Sequence, residues 1–181
     1  MTDDNVTPAE QLSPAEADHR TDVLPTDSGP DPAAPLAGTA PVRTDSPAFS
    51  DFAINPTIVE ALADVGITRT FAIQELTLPI ALEGKDLIGQ ARTGSGKTLG
   101  FGVPLLNRID VTGAPGALPQ ALVVAPTREL AVQVSADLQS AGKRLGARVL
   151  TIYGGRAYEP QIEALTKGVD VVVGKIGRAH V

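Results

Sequence analysis

Apolar residues recur along the chain at two spacings, and the spacing changes from element to element. Ile58, Leu62 and Val65 fall on one helical face, so residues 56–65 read as an amphipathic helix. Asn55 suits its N-cap, Pro56 its first position and Gly66 its end. Ile73, Leu76 and Ile80 form a second helical stripe ending near Gly84. Residues 86–89 read as a short strand feeding a glycine-rich loop, with a helix over about residues 96–109. Ala121–Ala125 is a continuous apolar run, as expected for a strand covered on both faces. Leu130, Val134, Leu138, Ala141 and Leu145 then mark a long helix. The strand Val149–Ile152, closed by Gly154-Gly155, a helix near residues 159–166 and a strand over 169–173 complete the series. Strands alternating with helices predict an α/β fold with a parallel sheet and right-handed crossovers.

Composition divides the chain in two. Residues 1–47 hold nine acidic residues against Arg20 and Arg43, and eight of the fifteen prolines. With almost no bulky apolar side chains, that stretch cannot bury enough surface to offset its ordering entropy, so it is expected to be a disordered acidic tail. The net charge of −6 therefore belongs to the tail, and the near-neutral body is not barred from nucleic acid. The absence of cysteine excludes disulfides and thiolate metal sites. No signal-peptide pattern or membrane-spanning run is present, and a cytoplasmic location is expected.

The candidate chemistry starts at Ala91-Arg92-Thr93-Gly94-Ser95-Gly96-Lys97-Thr98. A loop that leaves a strand and opens a helix is the context a phosphate site requires. Gly94 and Gly96 let the backbone curl so that successive N–H groups converge on phosphate oxygens, and the helix N-terminus adds partial positive charge. Lys97 is placed to reach the β- and γ-phosphates, and the Thr98 hydroxyl to ligate Mg²⁺. Upstream, the Gln74 amide can donate to adenine N7 and accept from N6, and Phe49 can stack on the base. Taken alone, Phe49 reads better as an ordinary core phenylalanine. Downstream, Pro126-Thr127-Arg128-Glu129-Leu130-Ala131 follows a strand end, where ligands gather in open α/β sheets. Thr127 can cap the next helix and Arg128 adds a full charge. Arg156 reads as a solvated surface residue or as a further phosphate contact.

Together these pieces resemble a DEAD-box RNA helicase over residues 49–174, the first half of that family's first RecA-like domain. Phe49 and Gln74 match its Q motif (residues 47–75), Ala91–Thr98 its motif I, residues 126–131 its motif Ia, and Gly154-Gly155 its GG element. The resemblance implies a partial RecA-like P-loop domain over residues 48–174. It implies ATP and Mg²⁺ as cofactors, and RNA held by its sugar-phosphate backbone through Pro126, Thr127, Arg128, Gly154 and Gly155, without sequence specificity. An intact parent would separate short RNA duplexes between two RecA-like domains. Thr70 stands where the family usually has proline, which is expected to loosen the turn before Gln74. No Asp-Glu-Ala-Asp segment occurs, so no catalytic residue is assigned and the 181-residue chain is expected to be inactive. Residues 175–181 read as a non-native tail, because Ile-Gly-Arg-Ala-His-Val followed by a stop is the translation of a sequencing-adapter oligonucleotide. The alternatives are a non-catalytic nucleotide- or RNA-binding fragment, or another P-loop ATPase.

Overall fold

A computed structural model describes residues 43–155 and 157–175. Its sheet consists of three parallel strands in the order β1-β3-β2: β1 Ala121–Ala125, β2 Val149–Ile152 and β3 Val171–Lys175. Parallel neighbours require crossovers. The helix α4 (Arg128–Gly142) links β1 to β2, and α5 (Tyr158–Lys167) links β2 to β3. Ahead of the sheet come a 3₁₀ turn at Phe49–Asp51, α1 (Pro56–Asp64), α2 (Ala72–Leu82) and α3 (Lys97–Arg108). The core lies where α4 packs on the sheet and where α1 and α3 pack on α4: Ile58, Leu62, Val103, Leu138, Val171 and Val173 are wholly buried within it.

Local chemistry accounts for several boundaries. The Asn55 side chain accepts from Thr57 N at 3.0 Å, capping α1, and Thr127 accepts from Leu130 N at 3.2 Å, capping α4. The last strand is anchored by Asp170, fully buried, whose carboxylate accepts from Arg148 N at 2.8 Å, Nη2 at 3.1 Å and Nε at 3.2 Å. Burial alone would raise that carboxyl; the bonds from Arg148 outweigh it and hold the group below its ordinary value.

Some expectations from the hydrophobic pattern do not survive. Residues 86–89 form no strand, and Ile88 is fully exposed. Two apolar residues in a row favour a strand only if a ladder partner exists. Among the described residues none of the three strands pairs with this segment. On α2 the buried pair is Gln74 and Leu78, whereas Leu76 and Ile80 of the expected stripe are exposed. Likewise β1 is covered on one face only, with Leu122 and Val124 open to solvent. The third strand begins at Val171 rather than residue 169.

The expected boundary at residue 47 also moves. Ser46 is buried, its carbonyl accepts from Arg69 Nη1, and the Pro47 carbonyl accepts from Thr70 N at 2.9 Å and Thr70 Oγ1 at 3.0 Å. Ser46 and Pro47 therefore pack against the body, while residues 43–45 are exposed. These bonds also overturn the expectation at Thr70. Its N–H, which proline would lack, ties the turn down. Disorder expected before residue 43 and the non-native reading of residues 176–181 lie outside the described residues, as does Arg156.

Candidate nucleotide and nucleic-acid sites

The phosphate loop closes on itself. Gly94 and Gly96 adopt φ of 78° and 80°, the left-handed region that a side chain disfavours, and Lys97 begins α3 directly afterwards. Its ammonium donates to the carbonyls of Ala91 and Arg92, both at 2.6 Å. The cation is thus held over the loop. Two carbonyl bonds neutralise little of its charge, so a phosphate could displace them. Ser95 Oγ, in the same loop, is buried without a hydrogen-bond partner among the described residues. A buried, unpaired hydroxyl beside an anion-binding loop fits a missing polar ligand group.

Gln74 reaches this loop, but not with a free base-reading edge. Its Nε2 donates to the Gly96 carbonyl at 2.8 Å and its Oε1 accepts from Phe71 N at 2.9 Å, with the residue 1% exposed. The amide therefore joins the N-terminus of α2 to the residue before Lys97. Phe49 is not at the site at all. It is fully buried in the core, so its ring is closed to a base, and the stacking role expected of it is corrected to packing. A different aromatic occupies the loop's flank. Phe71 lies against Gly96 and, with Arg43, Ala91 and Ser95, lines a cavity of about 290 Å³.

Thr98 sits in the first turn of α3, where its hydroxyl faces the Asp137 carboxyl of α4 and favours its charged form. Burial pushes that carboxyl up to about 6, against the opposing effect of the Thr98 hydroxyl. Neither Phe71 nor Asp137 was found by motif reasoning. An aromatic at an N-cap, where Ser, Thr, Asp or Asn is usual, was a signal for the first. Asp137 reaches Thr98 only through the packing of α4 on α3, which no local pattern announces.

The second cluster forms at the carboxyl ends of β1 and β2. Pro126, Thr127, Arg128, Gly154 and Gly155 are all exposed there. The Arg128 guanidinium lies so close to Gly155 that a Cβ at that position would stand 3.2 Å from Nη1. Two segments separated by 26 residues in sequence thus meet at one edge of the sheet. The Thr127-capped helix terminus presents N–H groups beside that guanidinium. No group of three His, Cys, Asp or Glu among the described residues could hold a metal. No helix there is long and apolar enough to cross a membrane.

The family described as DEAD/DEAH box helicase matches residues 71–181. The chain belongs to this family. Its relatives include the ATP-dependent RNA helicase RhlB of Xanthomonas campestris pv. campestris, 46% identical over 134 residues, covering 72% of this chain and 23% of the relative. The ATP-dependent RNA helicase CshA of Listeria monocytogenes is 46% identical over 130 residues, covering 72% and 24%. The chain thus spans about a quarter of the length of these two curated DEAD/DEAH relatives. Among solved structures, the RNA helicase Prp28 from Chaetomium thermophilum bound to ADP superposes with a TM-score of 0.64 at 36% identity, covering 76% of this chain and 34% of that one. A DEAD box protein from Methanococcus jannaschii gives a TM-score of 0.64 at 33% identity, covering 71% and 34%. The RecA-like α/β class expected from the sequence accords with both neighbours.

Proposed function

We propose that this chain is the part of an ATP-dependent RNA helicase that binds ATP and grips RNA. The observation that carries the reading is the loop before α3, where Gln74 of one motif bonds the Gly96 carbonyl beside Lys97 of another. Two elements that share no sequence neighbourhood converge on the atoms that would meet the β- and γ-phosphates. Residues Ala91–Thr98 cradle the phosphates through backbone N–H groups, and Lys97 exchanges its carbonyl partners for phosphate oxygens. Gln74 acts through the loop, as a brace that sets where Gly96 and Lys97 stand.

The residues fit a magnesium nucleotide only in part. Mg²⁺ keeps most of its shell as water and phosphate oxygen, so one protein hydroxyl is a sufficient anchor. Thr98 would supply it, turning from the Asp137 carboxyl that it faces. When bound, the ion would neutralise phosphate charge. The RNA would lie along Thr127, Arg128 and the Gly154-Gly155 turn, held by its phosphates and read without regard to base. Separation of RNA duplexes belongs to the longer protein that such relatives represent, as does the cytoplasmic setting. For the 181 residues themselves the expected property is binding.

Calorimetric titration of the chain with Mg²⁺-ATP tests this. Removing Lys97 deletes charge-assisted bonds worth roughly 1.5–3 kcal/mol, so Lys97→Ala is expected to lower affinity by about tenfold or more. Equal affinity in the wild type and the variant would overturn the proposal.

A further inference from the structure

The sheet is unequally finished at its two edges. At β2 the Gln139 amide donates to the Val149 carbonyl at 3.2 Å, α5 packs alongside, and every residue of the strand is half-buried. At β1, among the described residues, no strand lies on the outer side. Leu122 and Val124 are 68% and 51% exposed, and residues 121–125 include neither a charge nor a proline. Such an edge is a template for another strand, and folded proteins ordinarily blunt it with lysine, proline or a covering loop. The backbone is turned outward at the same two residues. Ala121 pairs with Val171, and its N–H donates to the Asp170 carbonyl at 3.3 Å, towards β3. Bonding sides alternate along a strand, so Leu122 and Val124 aim their N–H and C=O groups away from β3.

The strand is complementary to itself. Turned about a twofold axis through Val123, a second copy lies antiparallel to the first, with Leu122 opposite Val124 and Ala121 opposite Ala125. The outward residues then exchange their backbone bonds, and their side chains meet as apolar cross-strand pairs on the bare face. Neighbouring registers are poorer. Sliding towards the carboxyl end brings in Pro126, which has no N–H to donate. Sliding the other way brings in Gln120, whose N–H already donates to the Asp170 carbonyl at 2.9 Å. A slip of one residue sets outward groups against inward ones and forms no ladder. Residues 1–42, with eight acidic residues and one arginine, do not suit an uncharged edge. We propose that β1 is a self-association surface, on which a second copy of this chain adds its own β1 antiparallel to the first and joins the two sheets. The contact is a single strand pair, well below the area of a permanent interface, so the dimer is weak and reversible.

Sedimentation velocity of the 181-residue chain over a wide range of concentrations should show a reversible monomer–dimer equilibrium. Leu122→Glu and Val124→Lys, both at exposed side chains, should each weaken it by about tenfold or more, since each sets a charge opposite an apolar side chain at both ends of the pair. Mixing the two variants should restore association several-fold, because the twofold register places the introduced carboxylate opposite the introduced ammonium. Exchange of the Leu122 and Val124 amide hydrogens should slow as concentration rises. A chain that stays monomeric, with both amides exchanging fast at every concentration, would overturn the proposal. So would protection independent of concentration, which would mean that another segment of the same chain fills the edge. Growth beyond a dimer would contradict a closed twofold pairing. A dimer unchanged by both variants, or mixed variants that associate no better than either alone, would place the contact on another face and overturn it too.

Discussion

Gly96→Ala is the most discriminating perturbation of the loop, because a second glycine serves as its control. Gly96 and Gly66 hold nearly the same conformation, φ 80° and 78°. In that left-handed region an L-residue costs roughly 1–2 kcal/mol, whichever site it occupies. The surroundings differ. A Cβ on Gly66 would meet nothing within 4 Å, whereas a Cβ on Gly96 would overlap Phe71 Cδ2 and stand 2.5 Å from Gln74 Nε2. Overpacking of this kind adds roughly 1–3 kcal/mol. Gly66→Ala should thus cost roughly 1–2 kcal/mol and Gly96→Ala roughly 2–5, the sum of the two contributions. Urea unfolding of the full chain measures both, with the slope checked for constancy. In a Phe71→Ala background the excess at Gly96 should shrink, since half of the obstruction is gone. Equal costs for the two glycine variants, or an excess that persists without the ring, would refute the claim that α2 braces the loop.

Gln74→Ala should weaken ATP and tripolyphosphate alike, by roughly five- to tenfold, since it removes one buried bond to the loop; a loss confined to ATP would restore the base-edge role. Arg128→Ala should weaken binding of unrelated single-stranded RNAs about equally and lower the slope of log affinity against log salt by about 1, followed by fluorescence anisotropy at graded salt; loss for one RNA only would contradict a phosphate contact. Asp170→Asn should cost roughly 3 kcal/mol, the lower end for removing one member of a buried pair, because Arg148 keeps carbonyl partners at Ala114 and Lys167. The folded Asp170 carboxyl lies below its ordinary value, so its contribution is fully present above the usual carboxylate range and is lost as pH falls through that range towards the folded value. Thermal melts between pH 5 and 2.5 should therefore fall more steeply for the wild type than for Asp170→Asn, and parallel profiles would refute the assignment.

Much of the architecture was legible one element at a time. The loop was legible because a left-handed glycine next to a lysine at a helix start is a local requirement, met by residues within eight positions of one another. Caps at Asn55 and Thr127 were legible for the same reason: donor and acceptor are two or three residues apart. Strand β1 was legible as an element, though not in its exposure. Whether Leu122 faces a core or solvent depends on what covers the sheet, and an apolar run carries no record of that. The segment at 86–89 shows the same limit, because strand propensity is realised only against a partner.

Tertiary structure alone decided which aromatic stands at the site. Phe49 and Phe71 are both aromatic residues upstream of the loop, and the family resemblance favoured the first. Packing reversed the choice, because Phe49 is wholly buried in the apolar core while the Phe71 ring lies against Gly96. It also decided that the Gln74 amide is turned inward, that Arg128 lies over Gly155, and that Asp137 meets Thr98. Each of these joins segments from 22 to 39 residues apart. Sequence patterns report the requirements of a helix, a turn or a cap, which are paid locally; which side chains share one volume is set by how those pieces pack, and that is a property of the whole fold.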